Sequence, residues 1–347
     1  MNYKDYLRKI MPSLQTRKAL LDAIYGDIGR QLKQIEKRIN QLDEKNEYFY
    51  YCLQRNSSEN ELELKKRVLA SLPKASGNLR GFQSVSYYIL SRLKDICDEH
   101  GLQFFLSGGT LLGAVRHHGF IPWDDDVDVY MLRSDYQKLK QVLKDDKELT
   151  LQRYYKYSAL DGKAGYIIKI KLRESELFFV DIFPNDLISS QLPADELWTI
   201  NKHVSNEFHI ELDRLFQKHN FSRAWVLPIA FPSLDDEVEL LEEKFRSRFV
   251  SQAGSSGEEF LCMGIEMEDG FRRLHKIAPA GIFVPMKENE LLFETGKFHA
   301  PNDIERFLQI QFGNYWSLPK SMKPLHAEEF VNVSEKDLAL MADKMLQ

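Results

Sequence analysis

The chain has 347 residues, a formal charge of −5, and is 43% hydrophobic with 12% aromatic side chains. That supplies a folded core, while nearly balanced acids and bases exclude a general nucleic-acid-binding surface, and the length predicts a catalytic domain plus an appendage. Cys52, Cys97 and Cys262 are widely spaced with no CxxC, which excludes a disulfide framework and a structural zinc site and fits a reducing cytosol.

The start, "MNYKDYLRKIMPSLQTRK", lacks a signal-peptide core, and no apolar run reaches the roughly 18 residues of a membrane span, so a cytoplasmic protein is expected. Leu14, Leu21, Ile28, Ile35 and Leu42 then recur at heptad spacing, with Tyr25, Leu32 and Ile39 in the second seam. Residues 1–75 are therefore read as a helical segment forming a coiled coil, with self-association favoured over packing on the chain's own catalytic domain. Gly26 and Gly29 weaken that helix. "PKASGN" marks the boundary near residue 75, and residues 76–347 form the catalytic domain.

"GFQSVSYYILSRLKDICDEHGL" reads as an amphipathic helix burying Val85, Leu90, Leu93 and Cys97, and Gly101 stops it. "LQFFLS" and "VDVYM" read as buried strands, and "SDYQKLKQVLKDD" as a helix with a capping box of Ser134 and Gln137. "GYIIKIKL" and "LFFVDIF" are further strands, residues 195–250 a helical insertion, and "GEEFLCM" onward two or three short strands with turns. A helix with Ile304, Phe307, Leu308 and Phe312 on one face ends at Gly313, and a last helix begins at Ser334. The fold class is α/β or α+β, with one mixed sheet flanked by helices.

Between two of those strands, "GGTLLGAVRHHGFIPWDDDVDV" crowds Asp124, Asp125, Asp126 and Asp128 together. Carboxylates about 4 Å apart repel by roughly 4 kcal/mol at an effective dielectric near 20, so the cluster asks for a compensating cation. On a strand Asp126 and Asp128 share one face while Val127 and Val129 turn into the core, an oxygen cradle suited to Mg²⁺. A solvated acidic loop is the blander reading, and the apolar flanks argue against it. Gly108 and Gly109, between a strand and a helix start, let backbone amides approach phosphate. Asp181 in "LFFVDIFPND" is a third acid, embedded in an apolar run, with a salt bridge to Lys169 or Lys171 as the alternative use. Asp186, after Pro184, reads as a turn or cap residue.

Together "SGGTLLGAVRHHGFIPWDDDVDV" and "FVDIFPND" resemble the LicD family of phosphocholine transferases, which is related to fukutin-type proteins and has a nucleotidyltransferase-like fold. The resemblance runs from about residue 80 to 320, is poor over 195–260, and leaves out the heptads. It implies transfer of a phospho-alcohol group from a CDP-activated donor to a hydroxyl of a cell-surface glycan such as teichoic acid, with CMP released. It also implies Asp126, Asp128 and Asp181 as metal ligands and catalytic residues for Mg²⁺ or Mn²⁺, with Asp124 in support. Gly108, Gly109, Arg116, Lys169 and Lys171 match the donor-binding positions; His117 and His118 carry no assigned role. Asp181 is the candidate general base. Lipid-linked acceptors of the family raise "FSRAWVLPIAFPSL" (Phe221–Leu234) as a membrane-facing loop and a peripheral place at the inner membrane face, against a buried loop as the plainer reading. Nucleotidyl transfer and a non-catalytic coiled-coil scaffold are the competing functions.

Overall fold

A computed structural model describes residues 58–158, 162–221, 228–267, 277–284, 289–318 and 333–345, with scattered positions from 31 to 55. The chain divides into two compact units, Met1–Val68 with Ser317–Lys320, and Leu69–Trp316 with Ser321–Gln347. In the first, Ile35 and Leu42 are helical and exposed, and Tyr51, Leu64 and Val68 are buried together. The other heptad residues, with Gly26 and Gly29, lie outside the described residues. Helix α1 (Glu61–Ala70) starts with reciprocal bonds between Asn60 and Glu63, at 2.9 and 3.1 Å.

The second unit is built around β5 (Phe179–Ser190), whose residues from Phe179 to Asp186 are all buried. Its first part pairs with β2 (Asp128–Leu132) in parallel and with β4 (Ala164–Leu172) antiparallel. Its second part pairs antiparallel with β7 (Glu258–Met263), which carries β8 (Ala278–Pro279). With β1 (Phe104–Leu106), β3 (Leu149–Tyr157) and β6 (Ile229–Ala230), the order is β1-β2-β5-β4-β3-β6. The sheet is mixed and flanked by helices, as expected. A separate hairpin pairs β9 (Glu290–Phe293) with β10 (Gly296–His299).

Helices cover both faces of the sheet. On one, α2 (Gly77–His100) packs Phe82 against Phe178 and Phe179, and α3 (Gly108–His117) runs beside β2. On the other lie α4 (Arg133–Asp145), α5 (Ala194–Lys218) and α6 (Asp235–Ala253). Val85, Leu90, Leu93 and Cys97 are buried as the periodicity predicts, and Gly101 closes α2 at φ 63°. Gly313 likewise closes α7 (Ile304–Phe312), and Ser334 caps α8 (Glu335–Met345) by accepting from the Asp337 amide at 3.1 Å.

Three readings are corrected. Strand β3 was not anticipated, and it brings Arg153 into the interior, where Glu242 accepts from its guanidinium at 2.9 Å. Helix α4 begins at Arg133 after Leu132, with no side-chain cap, so Ser134 and Gln137 form no capping box. Asp186 is neither turn nor cap: it lies within β5 and takes a two-pronged bond from Arg133, at 3.1 and 3.0 Å. Arg133 also meets the buried Glu266 at 2.6 Å, so one guanidinium is shared by two interior carboxylates.

Candidate active site

The register sets the chemistry. Asp128 on β2 is paired with Asp181 on β5, Asp181 with Lys169 on β4, and Lys169 with Gln152 on β3. Directly paired residues share a face of the sheet, so two acids, a cation and an amide form one row across four strands. Val127 and Val129 on either side of Asp128 are fully buried, which pins that face. The strand starts at Asp128, however, so Asp126 sits just before it in irregular chain rather than two residues along it.

Asp128 is held from both flanks. Its amide donates to Thr110 Oγ1 at 2.8 Å, and its carbonyl accepts from the Ser107 amide at 3.1 Å. The Gly109 amide bonds its carboxylate. Gly108 and Gly109 form the first turn of α3 rather than a separate turn before it, and Gly108 has φ 52°. A Cβ at Gly108 would overlap Asp128 Oδ2, and one at Gly109 would lie 2.6 Å from Asp124 Oδ2. The glycines thus leave the space the carboxylates occupy. Sequence reasoning did not single out Ser107 or Thr110; both flank the glycine pair and could have been read from "SGGT".

Burial is the largest cause that raises Asp128 well above the usual carboxylate range, followed by Asp126, Asp181 and Asp124; the Gly109 amide partly opposes it. Asp124 is raised in the same way, by burial and then by Asp126 and Asp125. Asp124 Oδ2 is buried with no hydrogen-bond partner among the described residues. An all-oxygen, mutually repelling donor set fits a hard divalent cation. Among the described residues no three His, Cys, Asp or Glu side chains close into a ready coordination shell. Magnesium keeps water and phosphate ligands, so one or two carboxylates are enough for it.

The expected donor-binding residues have different surroundings. Lys169 is buried beside Asp181, with its ammonium 3.0 Å from the centre of the Phe179 ring. Lys171, one row on, is engaged by Glu176, which also accepts from Tyr154 Oη at 2.6 Å. Arg116 is buried on α3. His117 is driven down to about 4, by burial first and then Arg116, which makes it neutral at physiological pH. His118 is the left-handed cap of α3 at φ 56°. Within Phe221–Leu234, Phe221 is buried against Phe216 at 4.4 Å and Phe231 is half-buried; residues 222–227 are outside the described residues.

Known proteins share this arrangement of sequence. The chain is 29% identical over 269 residues to the lipopolysaccharide cholinephosphotransferase LicD of Haemophilus influenzae, covering 72% of this chain and 97% of that protein. It is 34% identical over 64 residues to the human ribitol 5-phosphate transferase FKRP, covering 18% of this chain and 12% of that protein. It also matches the uncharacterized protein RT0683 of Rickettsia typhi, at 29% identity over 121 residues, 34% of this chain and 38% of that one. A family model described as LicD/FKTN/FKRP, nucleotidyltransferase domain, matches residues 101–231. That stretch runs from the end of α2 through the glycine pair, the acidic turn and Asp181 to β6, so this part of the chain is similar to the LicD-type domain.

Proposed function

We propose that this protein is a phosphotransferase of the LicD type, moving a phospho-alcohol group from a CDP-activated donor to a hydroxyl of a glycan. The observation that carries the proposal is the row Asp128–Asp181–Lys169, fronted by the α3 amino terminus and the acidic turn. The LicD and FKRP relatives are named as cholinephosphate and ribitol-phosphate transferases, and their names supply the reaction class. Asp126 and Asp128 would hold Mg²⁺ or Mn²⁺, with Asp181 and Asp124 in support, and such a cation would supply charge neutralisation at the donor's phosphoryl oxygens.

The residues of the chain do the rest. Lys169 offers its ammonium to the diphosphate from the next strand. Asp181 accepts the proton of the acceptor hydroxyl as that oxygen forms its bond to the distal phosphorus. The phosphorus–oxygen bond to CMP breaks, and CMP leaves with its electron pair. Arg116, buried in the last turn of α3, is assigned the role of balancing the charge of the acids. No helix among the described residues is long and apolar enough to cross a membrane. A peripheral position at the inner membrane face, next to a lipid-linked acceptor, therefore rests on the reaction class and on the aromatic segment Phe221–Leu234. The heptads of residues 1–75 are the proposed self-association segment.

Thermal-shift titration with CDP-choline, CDP-glycerol, CDP-ribitol and CDP-ethanolamine, with and without magnesium, tests the reading. One donor should raise the melting temperature only when magnesium is present, by mass action on the folded state, and incubation with a glycan acceptor should release CMP. Pyrophosphate release from CTP, with no response to any of the four donors, would replace the proposal with nucleotidyl transfer.

A further inference from the structure

The acidic turn is braced by a chain of polar contacts reaching far from the reacting face. Gln83, on α2, is buried at 1% exposure. Its side-chain amide donates to the Asp124 carbonyl at 2.8 Å and points to the Ile121 carbonyl at 3.4 Å. These are the ends of the Ile121–Asp124 turn, which the Asp124 amide closes onto Ile121 at 2.9 Å. The Gln83 side-chain oxygen, Oε1, in turn accepts from Arg80 at 3.3 Å.

Arg80 is fixed by Glu294, at 2.7 Å, and Lys74 reaches the same carboxylate oxygen at 2.8 Å. The other oxygen of Glu294 accepts from the Phe120 amide at 3.2 Å, and its own amide donates to the His118 carbonyl at 3.0 Å. Glu294 takes a left-handed backbone at φ 56°, in the turn between β9 and β10, to present both groups. A Cβ at Gly119 would lie 2.5 Å from its Oε1, so only glycine lets the loop sit this close. Both ends of the segment from His118 to Asp124 are thereby tied: the first by Glu294, the second by Gln83, with Arg80 bridging them.

A bulky hydrophobe would fill the Gln83 position as well. The buried amide instead satisfies two carbonyls of a turn that has no regular secondary structure to bond it. Ligand-supporting contacts of this kind tune metal sites without touching the metal.

We propose that Gln83, oriented by the Arg80–Glu294 ion pair, is a positioning residue that sets the acidic turn before a divalent cation binds. The metal-binding half rests on the function proposed above; the structural half does not. Gln83→Met keeps the volume and removes all three side-chain hydrogen bonds, Glu294→Gln removes the charge that fixes Arg80, and Leu143→Ala on α4, compared at matched stability in denaturant, reports generic loosening.

Hydrogen exchange is followed in the metal-free proteins over residues 119–128, and Mn²⁺ affinity is measured by calorimetry without donor. The proposal predicts faster exchange over 119–128 in Gln83→Met and Glu294→Gln but not Leu143→Ala. It also predicts Mn²⁺ binding weakened by about 10-fold to 100-fold, the range for outer-shell partners. Unchanged exchange in Gln83→Met overturns it whatever the metal data show, and so does faster exchange with Mn²⁺ affinity equal to that of the unmodified protein. If the unmodified protein binds no Mn²⁺, the metal-dependent reading of the site and the positioning role both fall, while the exchange data still report the brace.

Discussion

Replacing Asp128 with Asn is expected to abolish transfer while making the metal-free protein more stable. The activity loss follows from removing a proposed cation ligand, since a metal's charge stabilisation is worth several kcal/mol, or about 10³-fold in rate. The stability gain follows from the destabilisation of the charged Asp128 carboxyl, first by burial and then by Asp126, Asp181 and Asp124. Relieving it should add about 1–2 kcal/mol, in line with other charge optimisations. The sign with pH is fixed by the same shift. A carboxyl raised in the folded state binds a proton more tightly there than in the unfolded chain, so its contribution is present below about pH 4 and is lost as pH rises through the raised value. Melting curves in chelator should therefore fall with pH more steeply for the unmodified protein than for Asp128→Asn, and magnesium should flatten the former. Equal slopes would mean that neither burial nor the neighbouring acids disfavour the charged Asp128 carboxyl.

Gly108→Ala is expected to be the second most damaging change at the site. Its φ of 52° costs a non-glycine residue roughly 1–2 kcal/mol. Its new methyl would also claim the position of Asp128 Oδ2, displacing the carboxylate. Misplacing a reacting group by about 1 Å costs on the order of 10²-fold in rate. Gly101→Ala is the control: φ is 63°, yet no atom lies within 4 Å of the new Cβ. Both variants should lose similar stability in thermal melts, and only Gly108→Ala should lose turnover. A loss of turnover in both, in proportion to stability, would remove the special role of Gly108.

Much of this site could be read from the chain because its parts are local. The glycine pair, the acidic turn and Val127 and Val129 lie within 22 residues, and the buried valines orient Asp128 as period-two alternation requires. Asp181 was legible for a different reason, as a lone acid in an apolar strand. Strand β3 was not, because Gln152, Arg153 and Lys156 hide its alternation; Arg153 points inward, where Glu242 on a distant helix neutralises it. Asp186 was misread because Pro184 and Asn185 resemble a turn, whereas β7 pairing from Asn185 onward and the Arg133 guanidinium keep the strand going. The Gln83–Arg80–Glu294 brace spans more than 200 residues and has no local signature, although Gln83 falls seven residues before Leu90 on the buried face of α2. Such contacts become visible only when the fold joins the segments.

Carboxylates of the acidic turn and β2 are proposed to share a divalent cation with a cytidine diphosphate. Anomalous diffraction from crystals grown with Mn²⁺ and CDP measures this directly. The predicted result is a manganese peak in contact with Asp126 and Asp128 oxygens and with the diphosphate. A diphosphate bound to Lys169 or Arg116, with no manganese between it and those aspartates, would contradict it.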